Sequence, residues 1–199
     1  MRTVDPIKHE EKRREILEAA GRCFVRKGFQ GATISSICAE AKISPGHLYH
    51  YFASKEAIIQ EMAKARLEAT VRFFSKAVDG ADVLATILAG VEAAMTGAKH
   101  LGQEMRIDML AEAGRNPAMA KIIEENSKAL QAQISDFLRK GQASGQIDPG
   151  LDPMVTAGVM LSISDGLKTL SLRNSRLDVE KNIHVLKTLF ARFLAPPKS

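Results

Sequence analysis

The chain has 199 residues, 45% of them hydrophobic, and a formal net charge of +5. That length supports one large domain or two modest ones with real cores. The opening stretch from Met1 to Arg14 is polar and charged, and no tract nears about 18 uninterrupted apolar residues, so neither a signal peptide nor a membrane span is expected. The excess charge is uneven. Residues 1–66 hold 12 Lys and Arg against 8 Asp and Glu, and the remainder hold 16 against 15. An anionic partner such as phosphate is therefore expected at the first third of the chain. Cys23 and Cys38 fit no zinc or redox spacing and make no disulfide framework, which suits a reducing, cytoplasmic setting.

Helical periodicity dominates, hairpin signals are absent, and the expected fold class is all-α. A first helix is predicted from Lys8 to Lys27, with Ile16, Leu17, Ala20 and Phe24 as its apolar stripe and Gly28 as its stop. Thr33 is the predicted N-cap of a short second helix with Ile34, Ile37 and Cys38 inward. After the connection Ala41-Lys42-Ile43, Ser44-Pro45 starts a third short helix, since proline suits the first helical position. Leu48 and Phe52, four apart, face its core. Ser54 caps a fourth helix running to about Val78, with Gly80 as its stop. Further helices are expected at Asp82–Thr96, about His100–Ala113, Pro117–Ala143, Pro153–Arg173 and Val179–Leu194.

The segment from Thr33 to Lys55 carries the chemistry. Two short helices on a three-residue connection have helix-turn-helix spacing, whose second helix enters the major groove. Its predicted exposed residues are Ser44, Pro45, Gly46, His47, Tyr49 and His50. Its N-terminal N–H groups suit phosphate, Gly46 allows close backbone approach, and His47 and Tyr49 can bond to base edges or phosphates. Lys55 is placed for a flanking phosphate. Tyr51 either packs its ring or reaches outward with its hydroxyl. The run Lys12-Arg13-Arg14 reads equally as a solvated helix face or as a phosphate-binding arm.

From Gly28-Phe29 through Gly31-Ala32-Thr33-Ile34, Ile37, Ala41 and Ile43-Ser44-Pro45-Gly46-His47-Leu48-Tyr49-His50-Tyr51-Phe52 to Ser54-Lys55, the sequence resembles the tetracycline-repressor-like (TetR/AcrR) family. The resemblance implies nine or ten helices, with a DNA-binding domain at residues 1–55 and a helical ligand-binding and dimerisation domain at 56–199. It implies a two-fold dimer that represses nearby genes until a small-molecule effector binds. It also implies that Thr33 and Ser35 contact DNA, that Ser44, Pro45, Gly46 and His47 face bases or backbone, that Tyr49 and His50 hold phosphate or base, and that Lys55 holds phosphate. One residue departs from the pattern. Lys42 stands where the family often has glycine, so a left-handed turn there carries mild strain unless its backbone differs, and the lysine is equally able to add a phosphate contact.

Elsewhere the signals are weaker. Met95, Met105 and Met109 suit a pocket for an apolar effector or ordinary core packing. Arg106, Asp108 and Glu112 read as surface charges, and His100 and His184 show no metal-ligand pattern. Residues 153–173 and 179–194 are apolar on more than one face, which calls for a second partner, expected to be another copy of the chain. A two-fold dimer sets its recognition helices about 34–36 Å apart and reads a palindrome. No catalytic triad, nucleotide-binding glycine loop or metal cluster is present, so neither enzyme chemistry nor a cofactor is expected, and the basic balance is too modest for a non-specific nucleic-acid coat.

Overall fold

The computed structural model describes residues 5–75, 82–96, 103–173 and 178–197. Among them are nine helices and no strand: α1 Pro6–Gly31, α2 Ile34–Ala41, α3 Pro45–Tyr51, α4 Lys55–Ser75, α5 Val83–Thr96, α6 Gln103–Ala113, α7 Pro117–Ala143, α8 Pro153–Arg173 and α9 Val179–Leu194. Their ends follow local capping chemistry. Asp5, Thr33, Ser44, Ser54, Asp82, Asn116, Asp152 and Asp178 each accept a hydrogen bond from a first-turn N–H. Proline at the first position pre-sets φ in α1, α3, α7 and α8. The expected fourth-helix end at Val78 and Gly80, and the start near His100, lie outside the described residues.

Contacts divide the chain into two units. The first comprises residues 5–65 and 103–124, so α6 groups with the N-terminal helices although some forty residues separate them in sequence. Its core holds Ile16, Ala20, Cys23 and Phe24 of α1, Ile37 and Cys38 of α2, Leu48 of α3, Ile58 and Ile59 of α4, and Met119 of α7. Phe24 stacks on Phe29 with ring centroids 5.9 Å apart. Truncating either buried ring would cost about 3–5 kcal/mol.

The regular helix breaks at Gly28, the expected stop, at φ 70° and ψ 172°, and one more short turn runs on to Gly31 within α1. That backbone conformation is open to glycine and to little else. The kink turns Phe29 into the core and aims its N–H at α6, where the Asp108 carboxylate accepts it. Gln30 Nε2 donates to Glu112 on the same helix at 2.7 Å. Glu112 is thus not a surface charge, and Asp108, half-buried, is engaged by the backbone of α1. Glu112 is 2% exposed and also accepts from Arg115 Nε at 2.7 Å and Asn116 Nδ2 at 3.4 Å. These hydrogen bonds, the one from Gln30 foremost, hold its carboxyl below the usual glutamate range despite burial.

The second unit comprises residues 66–75, 82–96, 125–173 and 178–197. Ile183, Leu186, Phe190 and Leu194 recur along one face of α9 and pack with Val83, Ile87 and Met95 of α5, Leu138 of α7, and Ala157 and Met160 of α8. Gln146 Oε1 caps α5 by accepting from Val83 N at 2.6 Å, and Lys187 pairs with Glu92 at 2.6 Å. On a flanking face of α9, Val185, Leu189 and Phe193 are exposed, and so are Val155, Val159 and Ile163 along α8. Each trio is spaced by four residues and forms a continuous apolar stripe.

Candidate nucleic-acid interface

The geometry of α2 and α3 is set by short-range bonds. Thr33 Oγ1 accepts from Ser36 N at 3.1 Å while Ser36 Oγ accepts from Thr33 N at 3.1 Å, a reciprocal cap. On the outer side of α2, Glu40 accepts from Arg22 at 2.8 Å and Arg26 at 2.7 Å, both on α1. Those two guanidiniums, Arg22 first, hold the Glu40 carboxyl below its ordinary range. The turn is left-handed at Lys42, with φ 54° and ψ 46°. It is closed by Lys42 N donating to Ala39 O at 3.3 Å and Ile43 N donating to Cys38 O at 3.0 Å. The lysine therefore adopts the strained conformation that glycine would take freely.

Helix α3 begins with Ser44 Oγ accepting from His47 N at 3.2 Å. Leu48 is its fully buried side chain, and Phe52 caps it from the core. Ser44, Pro45, Gly46, His47, Tyr49 and His50 all face solvent, with Tyr49 54% exposed. No atom lies within 4 Å of where a Cβ on Gly46 would stand, so its backbone is open to close approach from outside. Thr33 and Ser35 are exposed at the start of α2, and the Thr33 hydroxyl is already engaged in its cap. The structure thus gathers the sequence-derived set from Thr33 to His50 on α2, α3 and their caps.

Lys55 is placed differently. Its Nζ donates to Phe29 O at 2.7 Å and lies 4.3 Å from the Phe29 ring centroid, half-buried. Phe29 is held at both ends of its backbone, by Asp108 at N–H and by Lys55 at C=O. In the basic run, Lys12 pairs with Glu15 at 2.7 Å, and Arg13 pairs with Glu61 at 2.7 Å and lies over Phe52 at 5.4 Å. Arg14 is exposed. The two Arg13 contacts tie α1 to α4 and to the end of α3.

Tyr51 is half-buried and packs its ring. Its nearest aromatic partner is His9 on α1, a residue with no motif to mark it in the sequence. Met95 is in the second core, Met109 packs against the first, and the Met105 side chain lies outside what the structure describes. His184 is exposed. Among the described residues no group of three or more His, Cys, Asp and Glu could hold a metal, and no helix is long and apolar enough to cross a membrane.

Comparison with known proteins places this geometry. The model for bacterial regulatory proteins of the tetR family matches residues 16–62, which cover most of α1, all of α2 and α3, and the start of α4. The model for the C-terminal part of BetI-type transcriptional repressors matches residues 100–195. The HTH-type transcriptional regulator UidR of Escherichia coli (strain K12) is 28% identical over 155 residues, 78% of this chain and 79% of that protein. The HTH-type transcriptional repressor KstR2 of Mycobacterium tuberculosis is 28% identical over 144 residues, 71% of this chain and 72% of that one. Among solved structures, Salmonella enterica GusR superposes with a TM-score of 0.76 at 26% identity, covering 92% of this chain and 95% of its own.

Proposed function

The chain belongs to the tetR family of bacterial transcriptional regulators, and from that premise we propose that it is a repressor that binds a palindromic operator as a homodimer and is released by a small-molecule effector. One observation carries the reading. Helix α3 buries Leu48 alone while turning Ser44, Pro45, Gly46, His47, Tyr49 and His50 to solvent, the division expected of a recognition helix. Thr33 and Ser35 extend the proposed contact surface onto α2. Lys55 joins it only where a phosphate competes for an ammonium now bonded to Phe29 O.

The exposed stripes of α8 and α9 support dimerisation, because contiguous apolar surface of this kind is covered in stable assemblies. Leu189→Glu is expected to convert the dimer to monomer in sedimentation velocity, and an unchanged sedimentation coefficient would remove α9 from the interface. The effector is expected in the second unit. There Ser135 is buried with its hydroxyl unpartnered among the described residues, and Phe137 and Leu138 beside it in sequence belong to the second core, so a ligand would find a bonding group close to apolar surface. An effector releases DNA only by binding the DNA-incompetent state more tightly, with a coupling of about 1–3 kcal/mol in typical cases.

The test is selection of duplexes from a random-sequence pool, followed by fluorescence anisotropy on the selected duplex and a scrambled control across a salt series. Preferred, two-subunit, salt-dependent binding to a palindrome supports the proposal. Equal affinity for selected and scrambled duplexes would defeat it.

A further inference from the structure

We propose that His9 is a positioning residue of the DNA-binding surface: stacked on Tyr51, it fixes the orientation of α3 about its own axis. The inference rests on the DNA-binding reading and adds a residue that lies outside the helix-turn-helix.

A seven-residue helix has little stability of its own and takes its placement from tertiary contacts. Helix α3 buries Leu48, and its C-cap Phe52 is 3% exposed. These two anchors lie four residues apart and set where the helix sits, but they leave small rotations to be fixed by contacts on its flank. Helix α1 supplies such a contact. The His9 ring lies 4.6 Å from the Tyr51 ring, centroid to centroid, with 24° between planes. One turn along α1, the Arg13 guanidinium lies over Phe52 and is itself held by Glu61. The two contacts grip adjacent residues at the end of α3, opposite the Ser44 cap.

The grip bears directly on the exposed residues. Tyr51 is the hub of an aromatic group that includes His47 at 5.5 Å and His50 at 5.4 Å, both on the solvent face of α3. His9 also meets His50 edge-on at 6.0 Å. Three of the chain's five histidines therefore surround one tyrosine. A shift of the Tyr51 ring moves the imidazoles that would face DNA. Loss of the His9 ring leaves one side of Tyr51 open and lets α3 rotate away from the orientation the groove requires.

The full-length protein carries the test, with the duplex that wild type selects. His9→Ala is expected to weaken binding about three- to ten-fold, the scale of one lost aromatic stack. Its melting temperature should stay near wild type, and the slope of log affinity against log salt should not change. His9→Phe, which keeps a stackable ring and no charge, is expected to restore affinity to near wild type. A purely structural role would move the melting temperature together with affinity. Wild-type affinity in His9→Ala overturns the inference, and so does a His9→Phe variant as weak as alanine. A salt slope reduced by about one would instead make His9 a direct phosphate contact and overturn positioning. If wild type selects no duplex, the DNA-binding reading falls and this inference with it, an outcome distinct from selective wild type with an indifferent His9.

Discussion

Alanine at Gly28 probes the junction between α1 and α6. The residue sits at φ 70° and ψ 172°, where a Cβ is sterically opposed. Holding a non-glycine residue there costs about 1–3 kcal/mol. The new Cβ would also stand 3.1 Å from Asp108 Oδ2, the oxygen that accepts the Phe29 N–H. That carboxylate must give way, and losing a hydrogen bond to a charged group costs up to about 1.5–3 kcal/mol. Together the expected loss is about 2–5 kcal/mol, a fall of roughly 5–15 °C in melting temperature for a chain of this size. Circular dichroism melts measure it. Gly31→Ala is the control, since its Cβ meets only Lys27 Cβ at 3.4 Å. A double-mutant cycle with Asp108→Ala separates the two contributions: with the carboxylate gone, Gly28→Ala should cost only the backbone part. A Gly28→Ala variant that melts with wild type, or costs that add without coupling, would refute the reasoning.

Lys42→Gly relieves the left-handed turn and should stabilise by about 0.5–1 kcal/mol after the entropy cost of glycine, read as a melting temperature a few degrees higher. A simultaneous loss of operator affinity would identify Lys42 as a phosphate contact. Lys55→Ala should lower the melting temperature because the Phe29 carbonyl loses its donor, whereas Tyr49→Phe should weaken operator binding and melt as wild type does. Glu40 has a folded-state pKa below its ordinary value, so it stabilises the fold above the usual glutamate range and that contribution is lost as pH falls through the folded value. Melts across acid pH should therefore lose stability less steeply in Glu40→Gln than in wild type, and identical slopes would show that the Arg22 and Arg26 pairs contribute nothing.

Legibility in the sequence followed the range of the interaction. Caps at Thr33, Ser44, Asn116 and Asp152 are set by bonds two or three residues long, and helix boundaries built on them emerged in place. The bounds of α7, α8 and α9 coincide with the sequence reading. Leu48 and Phe52 faced the core as their spacing required. What pattern cannot show is which distant group meets which. Asp108 and Glu112 look like any charged pair on a helix, and only the fold brings the kinked end of α1 against them. Lys55 reads as a phosphate ligand by position, yet the carbonyl it bonds belongs to Phe29, on another helix. His9 carries no local signal, because its importance comes from a ring far along the chain.

The burial of Cys23 and Cys38 has a practical consequence. The two thiols are 0% and 3% exposed in the first core, and burial pushes the Cys38 thiol up, away from the reactive thiolate. Neither thiol can meet an alkylating reagent until the unit opens. Labelling rates on the unmodified protein therefore act as a clock for that opening. At low reagent they follow the equilibrium population of open molecules, and at high reagent the rate of opening itself. Operator DNA that holds the unit closed should slow the clock, which makes native chemistry, with no introduced probe, a measure of how tightly the reading head is held.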